Sequence, residues 1–428
     1  MINKIISWSI HHGPVVIILA LGLVGYGIYC MVNTPIDAIP DLSDNEVIVF
    51  TEWPGRNPQL VEDQVTFPLV SNLEGIAGVR DIRASSMFGM SFVYVIFNSE
   101  ANSNLARSRV LERLNYAQRL LPPDALPTLG PDATGVGQIY WYRLDAPGYD
   151  LGQLRALQDW YVKFALQTVP GVSEVASFGG FQKQYQITLD PHKLNYYHLS
   201  LTAVAQAVRK NNQDAGGGVF ALNDADYIVR VAGYLQNRDQ IANLTVSTVD
   251  GTPIRIEDLG HVQIGGKQRL GIMDDNGKGE AVGGVVIMRQ GENADAVIKA
   301  VKKKMREVQK GLPHGVTFKT AYDRSTLIKA SVRSINRMII EEIVLVCLVI
   351  LVFLFHFPSA LVVMITIPVA ILLSFVLIRL LGFSSNIMSL SGIAIAIGVI
   401  VDNGIVMVEN AHRHLSDKQA GGNGRDGK

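Results

Sequence analysis

The strongest constraint on the fold is the concentration of apolar residues into two blocks. The first block runs from Pro14 to Val32, and at about 1.5 Å per residue it can cross a hydrocarbon core of about 30 Å. Its apolar run continues into TPIDAIPD without a small-residue cleavage site, so we interpret it as an uncleaved anchor. The second block, from Ile339 to Val408, is interrupted at His356–Ala360 and Gly382–Asn386, which predicts three further spans.

The four predicted spans bracket a long, more polar insert. Positive side chains favour the cytoplasmic side of a membrane. Lys4 precedes the first span, and Arg413 and Lys418 follow the last one, so both termini are expected in the cytoplasm. The insert is then expected on the outer side of the inner membrane.

Composition excludes several classes of protein. The formal net charge is +0, without the basic bias of a nucleic-acid-binding protein. Cys30 and Cys347 both lie in predicted spans, so we expect no disulfide framework. The sequence contains no nucleophile elbow, phosphate loop or metal-hydrolase motif, so we expect neither an enzyme nor a cofactor.

The insert contains an internal repeat. EGIAGVRDIRASSMFGMSFVYVIFNSE, from Glu74, and QTVPGVSEVASFGGFQKQYQITLDP, from Gln167, each place Gly-Val before a short strand, a glycine turn and an alternating strand. Helical patterns alternate with these strands at the length of split βαβ units. The mixed segment from Leu189 to about Met273 is interpreted as an inserted subdomain.

The last span carries a stripe of side chains that recur every seven residues: Met388, Ile395, Asp402 and Glu409. At 3.6 residues per turn each is displaced by only about 20° from the one before. The stripe covers about 31 Å of helix, which matches the thickness of the hydrocarbon core.

Asp402 is the candidate proton carrier of this stripe. Gly398 lies one turn away on nearly the same face and allows a neighbouring helix to approach, so Asp402 is expected to face protein rather than lipid. Glu409 is placed to pass protons to or from it. The alternatives are a hydrogen bond from Asp402 to a neighbouring helix and a snorkelling Glu409. Met388 offers a soft thioether to Cu(I) or Ag(I), or simply packs.

Three further groups have simpler interpretations. Met87 and Met90, in SSMFGMS, offer soft donors but are expected to fill a core. Lys302–Lys304 is expected to be a solvated face. The histidines of HHG (His11–Gly13) and HRH (His412–His414) are expected at membrane interfaces rather than around a metal.

Long motifs throughout the chain resemble those of the resistance-nodulation-division transporters, heavy-metal efflux branch, and are most similar to the copper/silver exporters. They are NTPIDAIPDLSDNEVIV, LGPDATGVGQIYWY, LQDWYVKFAL, VPGVSEVASFGG and NIMSLSGIAIAIGVIVDNGIVMVENAHRHL.

The resemblance implies an α+β membrane protein with four transmembrane helices and a large periplasmic region of ferredoxin-like porter subdomains. It divides the chain into an N-terminal transmembrane anchor helix (1–36), a first porter subdomain (37–135), a second porter subdomain (136–188 and 274–330), an inserted docking subdomain (189–273), transmembrane helices 2–4 (331–415) and a disordered cytoplasmic tail (416–428).

The resemblance also implies a proton-driven heavy-metal cation pump of the inner membrane. Asp402 and Glu409 match its proton-relay positions, and Met388 matches a methionine of its metal path. A homotrimer would join a periplasmic adaptor and an outer-membrane channel. Since the family has twelve spans, we expect this chain to be an N-terminal fragment that is inactive alone. The alternatives are a zinc/cobalt/cadmium exporter, a hydrophobic-drug exporter and a non-transporting, membrane-anchored binding protein.

Overall fold

A computed structural model describes residues 7–9, 11–222, 225–249, 251–269, 271–354 and 357–422. Three predicted features therefore lie outside the described residues: Lys4, the break at His356, and the last six residues of the tail. The remaining chain combines helices and antiparallel strands, in agreement with the predicted α+β class.

The strands and helices are numbered in chain order. The strands are β1 (Asn45–Glu52), β2 (Val79–Met87), β3 (Met90–Phe97), β4 (Leu126–Leu129), β5 (Gln138–Asp145), β6 (Val172–Gly179), β7 (Lys183–Leu189), β8 (Ala215–Leu222), β9 (Ala225–Val231), β10 (Thr245–Val249), β11 (Thr252–Arg255), β12 (Gly260–Gly266), β13 (Val282–Met288) and β14 (Thr317–Asp323). The helices are α1 (Gly13–Asn33), α2 (Pro58–Val61), α3 (Phe67–Leu73), α4 (Ser103–Ala117), α5 (Leu151–Leu157), α6 (Lys163–Gln167), α7 (Pro191–Tyr196), α8 (Leu201–Lys210), α9 (Arg238–Ala242), α10 (Ile256–Leu259), α11 (Ala294–Gln309), α12 (Arg324–Leu354), α13 (Phe357–Leu380) and α14 (Ile387–Gly422).

Two four-stranded sheets share one topology. The first has the strand order β2-β3-β1-β4 and the second β14-β5-β13-β6. In each sheet the first and third strands along the chain are central and antiparallel neighbours. A helical segment follows the first strand and another follows the third, which is the connectivity of a split βαβ unit. The chain therefore contains two similar folding units, but the internal repeat of the sequence marks them only as far as β2 and β6. The strand that follows in the second copy, β7, pairs with β12 outside the second sheet, and the counterpart of β3 is β13.

Glycines at matching positions allow the same backbone turn before the second strand of each unit. Gly78 and Gly171 precede the second strand of each unit, with positive φ values of 90° and 84° that favour glycine over other residues. The carbonyl of Gly78 accepts a hydrogen bond from the amide of Asn98, and that of Gly171 accepts one from Arg289. Both donors directly follow the third strand of their unit.

The second helix of each unit packs a regular apolar face against its sheet. Asn102 caps α4 and Asn293 caps α11, each through its side-chain oxygen. The buried residues then recur at helical spacing: Ala106, Val110, Leu114 and Ala117 on α4, and Val297, Ile298, Val301, Met305 and Val308 on α11. Both helices agree with the helical patterns that the sequence analysis found between the strands.

The inserted piece is built from strand pairs and short helices. β7 pairs with β12 as a separate two-stranded ribbon, so the chain leaves the second unit before Leu189. β10 pairs with β11, and two small apolar clusters hold this piece together. The β8–β9 hairpin differs from it, because every residue of β9 is exposed.

Four helices form a bundle. α1 and α14 each contain a stretch long and apolar enough to cross a membrane, Gly13–Asn33 and Ile387–Gly404, while Ile365–Leu380 is a shorter apolar stretch. Cys30 of α1 is fully buried in the core of the bundle. The last helix continues to Gly422, so the tail that was expected to be disordered from residue 416 is helical as far as residue 422.

The packing of α1 against α13 leads to a first prediction. A Cβ on Gly27 would lie 2.8 Å from the Cβ of Leu372, whereas a Cβ on Gly22 would have nothing within 4 Å. We expect Gly27→Ala to destabilise the chain by about 1–3 kcal/mol through overpacking. Gly22→Ala should be neutral or slightly stabilising, because alanine favours helix. Thermal unfolding of the two variants in detergent compares them directly, and equal midpoints would contradict the close helix contact.

Candidate functional site

The predicted stripe lies on one uncovered face of α14. Met388 is 69% exposed and Ile395 is 76% exposed, and the side chains of Asp402 and Glu409 are also exposed. The opposite face is buried through Leu390, Ile393 and Ile397, which pack against α12 and α13. Among the described residues, the side chains of Asp402 and Glu409 themselves remain exposed on this face.

A third carboxylate lies beside this helix and was missed by the sequence analysis. A Cβ on Gly398 would lie 3.7 Å from Oε1 of Glu342, so the side chain of Glu342, from α12, reaches α14 one turn before Asp402. The signal was available, because Glu341 and Glu342 interrupt the apolar run of α12 as Asp402 interrupts that of α14. The structure thus places a second acidic group near the candidate proton carrier.

The beginning of α14 is fixed by a buried polar cap. The side-chain oxygen of Asn386 accepts hydrogen bonds from the amides of Met388 and Ser389, each 3.0 Å long. The Ser389 hydroxyl in turn accepts a bond of 2.8 Å from the amide of Asn386. This reciprocal arrangement satisfies amides that would otherwise lack partners at the start of a helix. It also fixes the backbone position of Met388.

Backbone hydrogen bonds join this cap to the segment that follows α1. The amide of Asp37 donates to the carbonyl of Ser385 over 3.0 Å, and the amide of Ser385 donates to the carbonyl of Pro35 over 2.9 Å. At the last residue of α1, the guanidinium of Arg379 donates to the carbonyl of Asn33 over 3.1 Å. The end of α1 and the start of α14 therefore form one connected structure.

A buried ion pair joins this structure to the second sheet. The Nη1 of Arg324 lies 3.3 and 3.2 Å from the two carboxylate oxygens of Asp37. The side chains are only 5% and 16% exposed. Arg324 directly follows β14, so the ion pair links the edge strand of the second sheet to the α1 and α14 junction.

Asp323, which precedes Arg324 in the chain, pairs with a different basic side chain, that of Lys302. Burial raises the pKa of Asp323, but hydrogen bonds from the Lys302 ammonium and from Ser325 outweigh it and hold the pKa below its usual value. Lys302 was expected to be part of a solvated face, and the structure corrects this, because its ammonium group binds Asp323. Consecutive charges at the end of β14 thus bind different partners.

A cavity of about 540 Å³ lies beside the ion pair, between the segment after α1, the α13–α14 turn and the loop after β13. Its lining includes the acidic side chains Asp37 and Glu292 and the basic side chains Arg289 and Arg379. Because both signs of charge are present, the lining does not select one class of ligand.

The methionine pair lies elsewhere than predicted. Met87 and Met90 face each other across the β2–β3 turn, and Met87 is 50% exposed. The expectation that they fill a core is therefore wrong. Core positions on these strands belong instead to residues of the other face, such as Val93 and Val95, which are fully buried.

Imidazole and carboxylate side chains, which are harder ligands than the thioether of methionine, do not cluster in the part of the chain that the structure describes. It contains no group of three or more His, Cys, Asp or Glu side chains that could hold a metal ion. Nδ1 of His11 and Nδ1 of His12 bond to backbone carbonyls one turn earlier in the chain.

Comparisons with known proteins agree on one family. The profile of the AcrB/AcrD/AcrF family matches residues 5–424. The chain is 46% identical to the cation efflux system protein CusA of Escherichia coli (strain K12), over 98% of this chain and 40% of that protein. It is 46% identical to the putative cation efflux system protein SilA of Salmonella typhimurium, over 97% of this chain and 40% of that protein.

A third relative and a solved structure extend this comparison. The cobalt-zinc-cadmium resistance protein CzcA of Cupriavidus metallidurans is 37% identical, over 98% of this chain and 40% of that protein. The crystal structure of a heavy metal efflux pump superposes with a TM-score of 0.85 at 33% identity, covering 96% of this chain and 41% of that one. The chain thus spans about 40% of the length of these relatives.

The buried ion pair leads to a second prediction. We expect Arg324→Met to lower the free energy of unfolding by about 3–5 kcal/mol, because Asp37 would keep a buried, unpaired charge. Removing both charges, in Arg324→Met with Asp37→Leu, should cost less than the single change. Denaturant unfolding of the chain in detergent measures both variants.

The matched control is an exposed pair. Arg337 and Glu341 form an ion pair on α12 with side chains 79% and 61% exposed. Arg337→Met should change the free energy of unfolding by less than about 1 kcal/mol. Equal decreases in the free energy of unfolding for Arg324→Met and Arg337→Met would show that burial of the Arg324 pair does not increase its contribution to stability.

Proposed function

The chain belongs to the AcrB/AcrD/AcrF family, and from this premise we propose that it forms part of an inner-membrane, proton-driven pump that exports heavy-metal cations. The observation that carries the proposal is the stripe of α14, in which Asp402 and Glu409 lie on one helical face with Met388. The activity is proposed for a protein of the relatives' length, since this chain spans about 40% of it.

The proposed topology uses all four helices of the bundle as transmembrane spans. α1 and α14 contain stretches of suitable length and hydropathy, and α12 and α13 pack with them through one apolar core. The two sheet units and the inserted piece then lie together on the periplasmic side. There the two units act as porter subdomains and the inserted piece as the docking subdomain.

Asp402 and Glu409 act as the proton relay in this proposal. A charge facing lipid at the centre of a membrane costs several kcal/mol, by an amount that is contested, so the open face of α14 is expected to pack against further protein. Protonation and deprotonation of Asp402 would then change how α14 packs. The cap at Asn386 and the Arg324–Asp37 pair would carry that change to the second sheet.

The proposed substrates are Cu(I) and Ag(I). Thioethers are soft ligands that suit these ions, and Met388 lies in the first turn of α14 with 69% of its surface exposed. A zinc, cobalt or cadmium exporter remains the second candidate, favoured by the 37% identity to CzcA. Such ions prefer imidazole and carboxylate ligands.

The proposed assembly is a homotrimer that joins a periplasmic adaptor and an outer-membrane channel. The β8–β9 hairpin supports contacts between copies. Its cross-strand pair Val219 and Ile228 is 65% and 83% exposed, and the next pair, Phe220 and Tyr227, is 56% and 55% exposed. An isolated hairpin is marginally stable in water, and exposed apolar patches of this kind mark interaction sites. We therefore propose that the hairpin packs against a second copy.

Silver tolerance tests the proposed function. In the complete gene product, Asp402→Asn should abolish Ag(I) and copper tolerance while the protein level in the membrane stays unchanged, because an amide cannot exchange a proton. Cells that lack other silver and copper exporters are grown on graded silver, copper, zinc and cobalt salts, so that the pattern also identifies the substrate.

A carboxylate outside the stripe provides the control. Glu341→Gln removes an acidic group of α12 that is paired with Arg337 and well exposed, and it should leave tolerance unchanged. Unchanged tolerance in Asp402→Asn would overturn the antiporter and favour a membrane-anchored binding protein. Tolerance to zinc and cobalt salts alone would show that these ions, rather than Cu(I) and Ag(I), are the substrates.

A further inference from the structure

The β2–β3 hairpin places three possible ligands in one row. Met87 lies directly opposite Met90, and Met90 lies directly opposite Glu52 of β1. Side chains of directly opposed residues point to the same face of a sheet, with Cβ atoms about 4.5–5.5 Å apart. Two thioethers and one carboxylate therefore lie side by side at the end of the first sheet.

This row is on the open face of the sheet. Met87 is 50% exposed, Glu52 is exposed and Met90 is half-buried. Glu52 takes part in no ion pair among the described residues. The three side chains are accessible from water, and their carboxylate is not already neutralised by a lysine or arginine of that part of the chain.

The opposite face holds the end of the hairpin rigid. One step inward from the methionine pair, Ser86 lies opposite Ser91. The Thr66 hydroxyl is 2.8 Å from the hydroxyl of each of these serines and so bridges the two strands. Thr66 and Ser91 are buried. The backbone below the methionines is thus fixed by polar contacts that do not involve the methionines.

The turn itself is held by the segment after β1. The amide of Trp53 donates to the carbonyl of Gly89 over 2.8 Å, and the amide of Gly89 donates to the carbonyl of Arg56 over 2.9 Å. Gly89 has a positive φ of 69°, and a Cβ there would lie 3.3 Å from Cα of Pro54. Only glycine fits this contact without displacing the backbone, so the turn keeps Met87 and Met90 opposed.

We propose that Met87, Met90 and Glu52 form a binding site for a soft monovalent cation, Ag(I) or Cu(I). The flexible methionine side chains can bring both sulfur atoms to one ion above a rigid backbone. The carboxylate balances the positive charge, and two thioethers select a soft ion over Zn(II) or Mg(II). The choice of ion rests on the proposed function, for which this would be a site of first capture outside the membrane.

The test uses methionine methyl groups as reporters. The chain has 11 methionines, and their methyl groups are labelled with ¹³C in the detergent-solubilised chain and observed by NMR during titration with silver nitrate in a chloride-free buffer. We expect the signals of Met87 and Met90, assigned from single Met→Leu variants, to shift together and to saturate with one equivalent of Ag(I). Zn(II) should shift neither signal.

Variants test the ligands separately. Met87→Leu with Met90→Leu conserves volume and should fold normally, yet its affinity for Ag(I) at this site should fall by at least tenfold. Glu52→Gln should reduce the affinity by a smaller factor. Met338→Leu, which changes an exposed methionine of α12, is the control and should leave the affinity unchanged.

The outcomes separate this site from the pump. Binding measured in the isolated chain does not depend on export, so a failure of Asp402→Asn to change tolerance leaves the site standing. Conversely, intact silver tolerance with no shift of the Met87 and Met90 signals overturns the site and leaves the pump standing. A shift of only one of the two signals, or an equal response to Zn(II), would also contradict the proposed site.

Discussion

The ion pair between Arg324 and Asp37 is the central polar contact between the second sheet and the helix bundle. Both side chains are withdrawn from water, and such a pair compensates for desolvation only when its geometry is maintained. Arg324 begins α12 at the end of β14, while Asp37 follows α1 and is hydrogen-bonded to the segment before α14. Together with the apolar packing of Ala38 and Ile328 against the second sheet, this contact positions the sheet relative to two helices of the bundle.

The two sheet units have the same connectivity but differ in the connection between their second and third strands. In the first unit the second and third strands are joined by the tight turn at Phe88 and Gly89. In the second unit the equivalent connection, between β6 and β13, is expanded into the inserted piece of β7–β12. The proposed cation site and the proposed docking subdomain thus occupy equivalent points of the repeat. Both sheets keep the same strand order although the connection between their second and third strands differs in length.

Much of the fold could be predicted from the sequence because its signals are local. The glycines Gly78 and Gly171, the asparagine caps, and the helical spacing of α4 and α11 depend only on neighbouring residues. The seven-residue stripe is of the same kind, since the 3.6-residue period alone places Asp402 and Glu409 on one face. What covers this face is not a property of the helix, so the local pattern could not provide it.

The contacts that were missed join distant parts of the chain. Arg324 and Asp37 are 287 residues apart, and neither stands out from the many charged residues of the insert. Glu342 interrupts an apolar run of the sequence, but that it lies near the stripe of α14 follows only from the approach of α12 to Gly398. Met87 and Met90 were assigned to a core because methionine is usually apolar packing, and the face of a strand end cannot be determined without its pairing register.

The position of Glu342 adds a second acidic side chain to the region of the proposed proton relay. Glu342 reaches α14 at Gly398, and Asp402 lies one turn further along the same helix, a rise of about 6 Å. Two charged carboxylates on neighbouring helical turns repel each other, and the repulsion grows as water is excluded. Covering α14 with further protein would therefore strengthen the effect of these two acidic groups on the packing of α12 against α14, which is the coupling that the proposed pump needs.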